Sequence, residues 1–562
     1  MKPMKGDVNM SKYDKLEAYI KVDASDWQGE LPHNWNYIGT DECNFIHEPE
    51  GKALLSEFGR FAEKPYYVRA HHLFCTGNCR GFLKWGSTNV YTEDAEGNPV
   101  YDFRTFDKIF DTILHAGCKP FVELGFMPFD LVDKSYAKYE GDQWSSYNEY
   151  KRVGWACPPK DYNRWRQLIS TVVQHLVERY GADEVVKWYF ELWNEPDLTY
   201  YWKGSVDDFC KLYDYTVAGI EDVLPEARIG GPATTGPTPG SRSANFLDAF
   251  LKHCRNGKNY VTGGTGTRLD FITFHVKGGG FPFSTRPVKG HPTVHSMIRQ
   301  VACGLDIIEK NGYAGLEVVL SETDPDGWAA GGMYDNINLF FRNTPYYASF
   351  VAASFHHIQQ LAEDRRADVR PLTWAFVFPG ERCFEGTRAF RTQGIDKAIF
   401  NLFRMYALMG DRKIGFRSSA AVNFRDCFDS CRSYEWPEVN GFAAMSGAHS
   451  IDILVYCHHD NMWEEKPGYR VTLEIINIPF LTNKVKMLHY RIDENHSNAF
   501  AVWKSMGCPH YPSTEQIERM KSRAGLEMVC PPEEMELSNG TLSLSFDLPV
   551  NGISLIRVQQ ME

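Results

Sequence analysis

The sequence predicts an α/β protein, a (β/α)8 TIM barrel followed by an accessory antiparallel β-sandwich domain. Two observations lead to this fold. From about residue 35 to residue 413, short apolar runs with strand character alternate with longer segments of helical period, as in a parallel barrel. From residue 414 onward, short alternating runs separated by turns replace the helices. The 562 residues suffice for both units.

Eight runs supply the predicted barrel strands. Each is short and nearly continuous in apolar, β-branched or aromatic residues, which is typical of a strand covered on both faces. In chain order they read NYIGT, YYVRAHH, KPFVELGF, VVKWYFELW, ARIGGPA, LDFITFH, LEVVLSE and PLTWAFVF. Eight is the number that a closed (β/α)8 barrel requires.

The segments between these runs have the apolar spacing of amphipathic helices. They include FDKIFDTILHAG, RWRQLISTVVQHLVERYG, DDFCKLYDYTVAGIEDVL, NFLDAFLKHC, VHSMIRQVACGLDIIEKNG and YYASFVAASFHHIQQLAE. Each predicted helix therefore joins two parallel strands and covers the outside of the barrel.

The last 150 residues have the pattern of half-buried antiparallel strands. TLSLSFDL alternates strictly, so one face carries Leu542, Leu544, Phe546 and Leu548. The early segment AYIKVDAS precedes the barrel and needs a sheet partner, so we expect it to join the same sandwich. The predicted units are an N-terminal segment 1–34 that contributes to the sandwich, a barrel 35–413 and a sandwich 414–562.

Composition excludes several classes of partner. The formal net charge is −12, which argues against nucleic acid and against an anionic membrane surface. No run approaches the ~20 apolar residues of a membrane span. The amino-terminal residues lack the apolar core of a signal peptide and the 14 cysteines form no disulfide framework, so we expect a cytoplasmic protein without a metal site. A homo-oligomer is compatible with the sequence.

The stretch KWYFELWNEPDL places two glutamates, Glu191 and Glu195, in an apolar strand. Strand parity puts both on the inward face, with Glu195 at the carboxyl end of strand four, where Pro196 ends the ladder. Chemistry in barrels takes place at this end. The deeper Glu191 needs a buried cation, for which Arg69 on strand two is the candidate. We therefore predict that Glu191 and Arg69 are structural and that Glu195 is functional.

A second glutamate ends strand seven. In LEVVLSETDPDGW, an apolar run reaches Ser321 and Glu322 and then breaks into an Asp/Pro/Gly turn, so Glu322 is also predicted at the mouth. Two carboxyl groups from different strands at one mouth are what glycoside hydrolysis requires: one donates a proton to the leaving oxygen, and the other attacks the anomeric carbon or activates water. This chemistry needs no cofactor.

The chain resembles glycoside hydrolase family 39, the retaining β-xylosidases and α-L-iduronidases, over nearly its whole length. The resemblance lies in YYVRAHHLF, YDFRTFDKIFDTIL and KPFVELGFMP, then in CPPKDYNRW, WYFELWNEPDL and LDFITFH, and finally in RIDENHSNAFAVWKSMGCP. The order of these motifs matches the family. The resemblance implies a barrel with its carboxylates on strands four and seven.

Roles for individual residues follow from the resemblance. Glu195 matches the acid/base and Glu322 the nucleophile. Asn194 matches an asparagine that hydrogen-bonds the hydroxyl at C2 of the sugar. His275 matches a histidine near the nucleophile, where it would donate a hydrogen bond to Glu322 and help to keep it ionised.

Only one histidine of the pair His71–His72 can face the cavity on a regular strand. Facing His72 inward would turn Arg69 outward, away from Glu191. Because Glu191 needs a partner, we expect Arg69 and His71 to point inward, with His71 near the substrate.

The identity of the sugar is less strongly indicated. Lys277, in a segment that resembles the HxKG pattern of the iduronidases, is a cation that would suit the carboxylate of iduronate. Glu385, after the strand-eight Trp374, resembles an acidic residue of the xylosidases that contacts sugar hydroxyls. The rings of Trp374 and Trp328, and of Phe281 and Phe283, are candidates for stacking on sugar faces.

We therefore predict a retaining, exo-acting β-D-xylosidase that trims xylo-oligosaccharides. The alternatives are an α-L-iduronidase, another family 39 glycosidase acting on an arabinoside or galactoside, and a carbohydrate-binding protein without catalysis.

Overall fold

The computed structural model describes residues 15–61, 64–81, 85–136, 154–279, 288–328, 331–374, 378–426 and 434–561. Phe281 and Phe283 lie outside the described residues.

The strands up to residue 396 are β1 (Leu16–Glu30), β2 (Tyr37–Thr40), β3 (Tyr67–Ala70), β4 (Tyr91–Glu93), β5 (Pro99–Tyr101), β6 (Lys119–Leu124), β7 (Tyr189–Leu192), β8 (Arg228–Thr234), β9 (Phe271–Lys277), β10 (Glu317–Asp324), β11 (Val369–Pro371), β12 (Thr373–Trp374), β13 (Arg391–Thr392) and β14 (Ile395–Asp396). Strands β4 and β5 pair with each other outside the barrel sheet, as do β13 and β14. The later strands are β15 (Arg412–Ser418), β16 (Glu438–Ser446), β17 (Ser450–His458), β18 (Tyr469–Ile476), β19 (Lys484–Ile492), β20 (Glu527–Met528), β21 (Glu533–Glu536), β22 (Leu542–Leu548) and β23 (Ile553–Gln560).

The described α-helices are α1 (Pro49–Phe61), α2 (Arg104–His115), α3 (Tyr162–Tyr180), α4 (Ala182–Val185), α5 (Val206–Glu221), α6 (Arg242–Asn256), α7 (Val294–Lys310), α8 (Pro345–Arg365), α9 (Ala398–Ala407), α10 (Ala499–Ser505) and α11 (Thr514–Lys521). Short 3-10 helices lie at Cys43–His47, Phe129–Leu131, Lys134–Tyr136 and Ile337–Asn343. In the described part of the chain, no helix combines the length and the apolar character that a membrane crossing requires.

The parallel strands close into a barrel, as the sequence predicts. Neighbours in the sheet follow the order β11, β10, β9, β8, β7, β6, β3, β2 and β12. The eighth strand is split at Leu372: β11 pairs with β10 on one side, and β12 pairs with β2 on the other. These two pieces join the first strand to the seventh and complete the (β/α)8 barrel.

A layer of aromatic side chains fills the lower part of the barrel and supports its mouth. This cluster includes Tyr37, Phe121, Tyr189, Phe271, Val319, Leu372 and Trp374. Trp374 fits because residue 39 is a glycine: a Cβ at Gly39 would lie 1.5 Å from the Trp374 ring. The barrel interior is therefore packed beneath the mouth rather than hollow.

Helix α8 is buried on nearly every side, because it lies between the barrel and the accessory sheet. Tyr346 donates a hydrogen bond to the backbone carbonyl of Asp460 at 2.6 Å, and His357 lies 2.9 Å from Glu438. These polar contacts and the surrounding apolar packing attach the accessory domain to the barrel.

The accessory domain is a single curled sheet. Its path runs β20, β19, β23, β17, β16, β15, β1, β18 and β22, with β21 beside β19. Side chains from β19 and from β22, far apart on this path, belong to one buried cluster, so the sheet folds over its own core. The pairs are antiparallel except for β1 with β18, which is parallel, and the N-terminal strand lies inside the sheet between β15 and β18.

Candidate active site

The chain leaves strand β7 through an unusual turn that presents Glu195. Trp193 has φ +69° and Glu195 has φ +44°, in the left-handed region that residues with a side chain seldom adopt. The backbone N–H of Glu195 donates to the carbonyl of Ala233 at 2.9 Å, which holds the turn against the next strand. The Glu195 side chain is 16% exposed, so it reaches the mouth as predicted.

Glu322 comes from strand β10 on the opposite side of the mouth. The register of β10 against β9 shifts between Leu320, opposite Phe274, and Glu322, opposite His275. Such a bulge re-aims the side chains that follow it. The Glu322 side chain is 9% exposed and stands beside that of His275.

The two glutamates lie close enough for direct attack on a sugar between them. One oxygen of Glu195, one oxygen of Glu322 and a ring nitrogen of His275 all lie within 4.8 Å of one another. Carboxyl groups of retaining glycosidases are ~5–5.5 Å apart, whereas inverting enzymes separate them by roughly 6.5–9.5 Å to admit water. The geometry fits retention.

His275 contacts both glutamates unequally. Its Nδ1 lies 2.9 Å from Oε1 of Glu195 and 3.7 Å from Oε2 of Glu322. The expected hydrogen bond from His275 to Glu322 is therefore wrong: the imidazole hydrogen-bonds Glu195 and faces Glu322 at longer range. The reason is the turn after β7, which brings Glu195 over the end of β9.

Positive groups surround Glu322. Lys277 Nζ lies 2.8 Å from its Oε2, and Nε2 of His71 lies 3.5 Å from its Oε1. Burial acts to raise the pKa of Glu322, but the fields of His275, Lys277 and His71 outweigh it and hold that pKa well below its usual range. The carboxylate is thus ionised, as a nucleophile must be.

Arg69 connects the interior of the barrel to the mouth. Its Nε donates to Glu191 at 2.5 Å, and its Nη2 donates to Oδ1 of Asn194 at 3.0 Å. Arg69 and Glu191 are both fully buried and paired, as strand parity predicts. The hydrogen bond from Arg69 therefore fixes the orientation of the Asn194 amide, with Oδ1 toward the guanidinium.

The two neighbouring histidines separate as expected. Nδ1 of His71 lies 2.5 Å from Glu123, and its Nε2 points at Glu322. His72 has φ +67° and packs among aromatic rings, including Trp85. His71 is thus the histidine that faces Glu322.

Lys277 lies at the site but is paired with carboxylates. Its Nζ contacts Asp324 at 2.5 Å as well as Glu322, and Asp324 in turn accepts from Arg388 at 3.0 Å. Asp324 and Glu322 raise the pKa of Lys277 against the opposing effect of burial. Its charge therefore balances the protein's own carboxylates here, whereas the sequence suggested a partner for a substrate carboxylate.

Trp374 and Glu385 have surroundings that the sequence did not indicate. The Trp374 ring is fully buried beneath the mouth, 5.6 Å from the Arg69 guanidinium and 5.1 Å from the His71 ring, so it supports these residues from within the barrel.

Both oxygens of Glu385 accept hydrogen bonds from Arg382. That Trp374 and Glu385 contact the sugar remains a prediction. Trp328 is half-buried against the core.

A pocket opens beside His71, which lies 3.5 Å from Glu322. It is lined by Asp41, His71, His72, Trp85, Trp155, Tyr200 and Tyr201. Sequence reasoning missed Asp41, Glu123 and these aromatic side chains. Glu123 could have been found from the sequence, because it is a lone carboxylate in the apolar run KPFVELGF, as Glu191 is in its own strand. The aromatic residues of the pocket come from loops, whose sequences have no regular period.

The trio Glu195, His275 and Glu322 also has the spacing of a three-ligand metal site. Lys277 already occupies one oxygen of Glu322. The expectation of a metal-free site remains a prediction.

Comparison with known proteins identifies relatives of the chain. A family profile described as "Glycosyl hydrolases family 39" matches residues 18–529. A β-xylosidase from Geobacillus stearothermophilus is 26% identical over 551 residues, which cover 96% of this chain and 95% of the relative. An α-L-iduronidase from Mus musculus is 27% identical over 410 residues, 70% of this chain and 61% of the relative. A monomeric β-xylosidase structure from Caulobacter crescentus CB15 has a TM-score of 0.75 at 20% identity, covering 97% of this chain and 100% of that one.

A closed barrel with two facing glutamates at its mouth is the active-site arrangement of a glycoside hydrolase, an enzyme that cleaves O-glycosyl bonds. The family profile covers most of the chain, and the protein belongs to glycosyl hydrolases family 39.

Proposed function

We propose that the protein is a retaining, exo-acting β-D-xylosidase that trims xylo-oligosaccharides, with Glu195 as acid/base and Glu322 as nucleophile. The observation that carries the proposal is the pair itself: an oxygen of each glutamate lies within 4.8 Å of the other at the barrel mouth. That spacing leaves room for an anomeric carbon between them but not for a water molecule as well.

The reaction proceeds in two displacements. An oxygen of Glu322 forms a bond to the anomeric carbon while the bond to the leaving oxygen breaks, and Glu195 gives its proton to that oxygen. Water then attacks the anomeric carbon from the vacated side, Glu195 takes a proton from it, and the ester bond to Glu322 breaks. The sugar leaves with its original anomeric configuration.

Two features support xylose as the sugar. In sequence, two β-xylosidases match a larger share of the chain than the α-L-iduronidase from Mus musculus does. In addition, Lys277 is already paired with Asp324 and Glu322, and xylose, whose C5 carries hydrogens only, has no carboxylate that would compete for this cation.

An α-L-iduronidase is the second candidate, and Lys277 is the observation that favours it. Iduronate differs from xylose chiefly by a carboxylate at C5, and Lys277 lies 2.8 Å from the nucleophile. That carboxylate would have to compete with Asp324 and Glu322 for the ammonium group. This competition is why we place the xylosidase first.

A panel of aryl glycosides tests the proposal: β-D-xyloside, α-L-arabinoside, α-L-iduronide and β-D-galactoside. We expect the xyloside to have the highest kcat/KM and proton NMR to detect β-xylose as the first product. Cleavage of the iduronide alone would overturn the choice of sugar, and α-xylose as the first product would overturn retention.

Variants test the roles of the glutamates. Glu322→Gln is expected to abolish turnover, while Glu178→Gln, an exposed carboxylate on helix α3, serves as the matched control and retains wild-type rates. Wild-type turnover by Glu322→Gln would remove this residue as nucleophile.

A further inference from the structure

Glu123 lies beneath the mouth of the barrel and touches neither of the two glutamates assigned to the reaction. It sits on strand β6 and is fully buried. Its Oε2 lies 2.5 Å from Nδ1 of His71 and 2.9 Å from Nη2 of Arg69. An isolated carboxylate in such a place is costly, and these two cations compensate it.

The same two cations face one oxygen of the nucleophile. Nε2 of His71 lies 3.5 Å from Oε1 of Glu322, and Nη1 of Arg69 lies 3.7 Å from the same oxygen. The other oxygen, Oε2, is faced by Lys277 at 2.8 Å and by His275 at 3.7 Å. The two oxygens of Glu322 therefore have separate sets of donors, and Glu123 holds one set.

We propose that Glu123 is a positioning residue for the nucleophile: it fixes His71 and Arg69 so that both address Oε1 of Glu322. This inference rests on the proposed function, because it takes Glu322 as the nucleophile. Glu123 acts through its neighbours and does not contact the sugar.

An unsatisfied buried donor on Arg69 also supports the proposal. Arg69 also binds Glu191, yet its Nη1 is buried without a hydrogen-bond partner among the described residues, and it is this nitrogen that faces Glu322. Buried donors in a purely structural cluster are normally satisfied. A donor held ready beside the nucleophile suits the second displacement, in which Glu322 leaves the sugar as a carboxylate.

The charge on His71 depends on Glu123. Burial acts to lower the pKa of His71, but Glu123 and Glu322 outweigh burial and the opposing field of Arg69, and they raise it to about 9. Asp41 also lies 3.3 Å from Nε2. At neutral pH His71 is thus a cation that donates from both nitrogens.

The pH dependence of activity tests the inference. Replacing Glu123 by Gln removes the anion that holds the proton on His71, so Glu322 loses a positive neighbour and its pKa rises. The acidic limb of kcat/KM for an aryl β-D-xyloside is expected to move upward by about one pH unit, equivalent to ~1.4 kcal/mol. The matched control is Glu317→Gln, a partly buried glutamate on the same sheet that bonds Tyr189, and its acidic limb should stay at the wild-type position.

A second variant separates positioning from packing. His71→Gln should produce a similar shift. Adding Glu123→Gln to it should produce a further shift smaller than that of Glu123→Gln alone, because only the effect of Glu123 through Arg69 then remains. Additive shifts, or an unshifted limb in Glu123→Gln, would overturn the inference.

A measurement on the wild type avoids dependence on folding of the variants. In ¹⁵N NMR of the imidazoles at pH 7, both ring nitrogens of His71 are expected to carry protons; a neutral His71 would overturn the inference. Failure of the proposed function gives a different result from failure of this inference. If Glu322 is not the nucleophile, the Glu322→Gln variant retains wild-type turnover, whatever the pH profile of Glu123→Gln.

Discussion

His275 Nδ1 lies 2.9 Å from Oε1 of Glu195 and 3.7 Å from Oε2 of Glu322, so one imidazole stands between the two carboxyl groups. The acid/base must give up a proton in the first displacement and recover one in the second, whereas the nucleophile must remain ionised. A ring that hydrogen-bonds the first and lies near the second couples their electrostatics. Substitutions at this mouth should therefore alter pH profiles as well as rates.

Removing the acid/base should have an effect that depends on the leaving group. Glu195→Ala is expected to lose ~10²–10⁴-fold in kcat for xylobiose, whose leaving alcohol needs a proton, and much less in the first displacement of an activated aryl xyloside. Azide, which needs no general base, should restore turnover and give β-xylosyl azide. Equal losses for xylobiose and the aryl xyloside, measured by steady-state kinetics, would contradict the role of Glu195.

Lys277→Met should move the acidic limb of kcat/KM to higher pH. The ammonium group lies 2.8 Å from Glu322 and helps to hold the pKa of that carboxyl below its usual range, so its loss raises that pKa. The shift is to be measured with an aryl β-D-xyloside, with Lys310→Met on the exposed surface as the control. A selective loss of iduronide cleavage with an unchanged xyloside profile would instead assign Lys277 to a substrate carboxylate.

Gly39→Ala should damage both stability and activity. The new Cβ would lie 1.5 Å from the Trp374 ring, which supports Arg69 and His71. Overpacking of this kind costs ~1–3 kcal/mol of folding free energy. Gly525→Ala is the control, because a Cβ there meets open space. Thermal denaturation and kcat measure the two effects, and a Gly39→Ala protein equal to wild type in both would contradict this packing.

The contact between His357 and Glu438 should stabilise the attachment of the accessory domain in a defined pH window. His357 outweighs burial and lowers the pKa of Glu438 to about 2 from 4.5, so this stabilisation is present above about pH 4.5 and is lost as the pH falls toward 2. Glu438 raises the pKa of His357 above 6.5 despite burial, so that contribution is present below about pH 6.5 and is lost as the pH rises through the folded value.

His357→Gln is therefore expected to lower Tm most between about pH 4.5 and 6.5. Breaking a buried ion pair costs ~3–5 kcal/mol, and the difference from wild type should shrink at alkaline pH. His449→Gln, at an exposed position, is the control. A Tm difference that does not vary with pH would show that charge is not the cause.

Strand parity and the closed barrel predicted the positions of most of the charged residues at the site. They placed Glu195 and Glu322 at the mouth and paired Arg69 with Glu191, because a period of two leaves little freedom for inward side chains. They could not show that His275 turns toward Glu195, since this depends on the left-handed turn after β7 and on the bulge in β10. Neither feature has a sequence signal as regular as a strand.

Glu123 was absent from the predicted site residues for a different reason. The cost of a buried carboxylate, applied to Glu191, applies equally to the lone glutamate of KPFVELGF, so the rule was available for both strands. The surroundings of Lys277 were harder to predict, because its partner Asp324 follows Glu322 in a segment with the composition of a turn.

The position of β1 inside the accessory sheet has a consequence during synthesis. This strand leaves the ribosome before the barrel, yet its partners β15 and β18 begin at Arg412 and Tyr469. At ~5–20 residues per second, the wait for β15 lasts roughly 20–80 s. Through that interval the nascent chain carries a strand with one apolar face and no sheet to join, while the barrel is synthesised between this strand and the rest of the accessory domain.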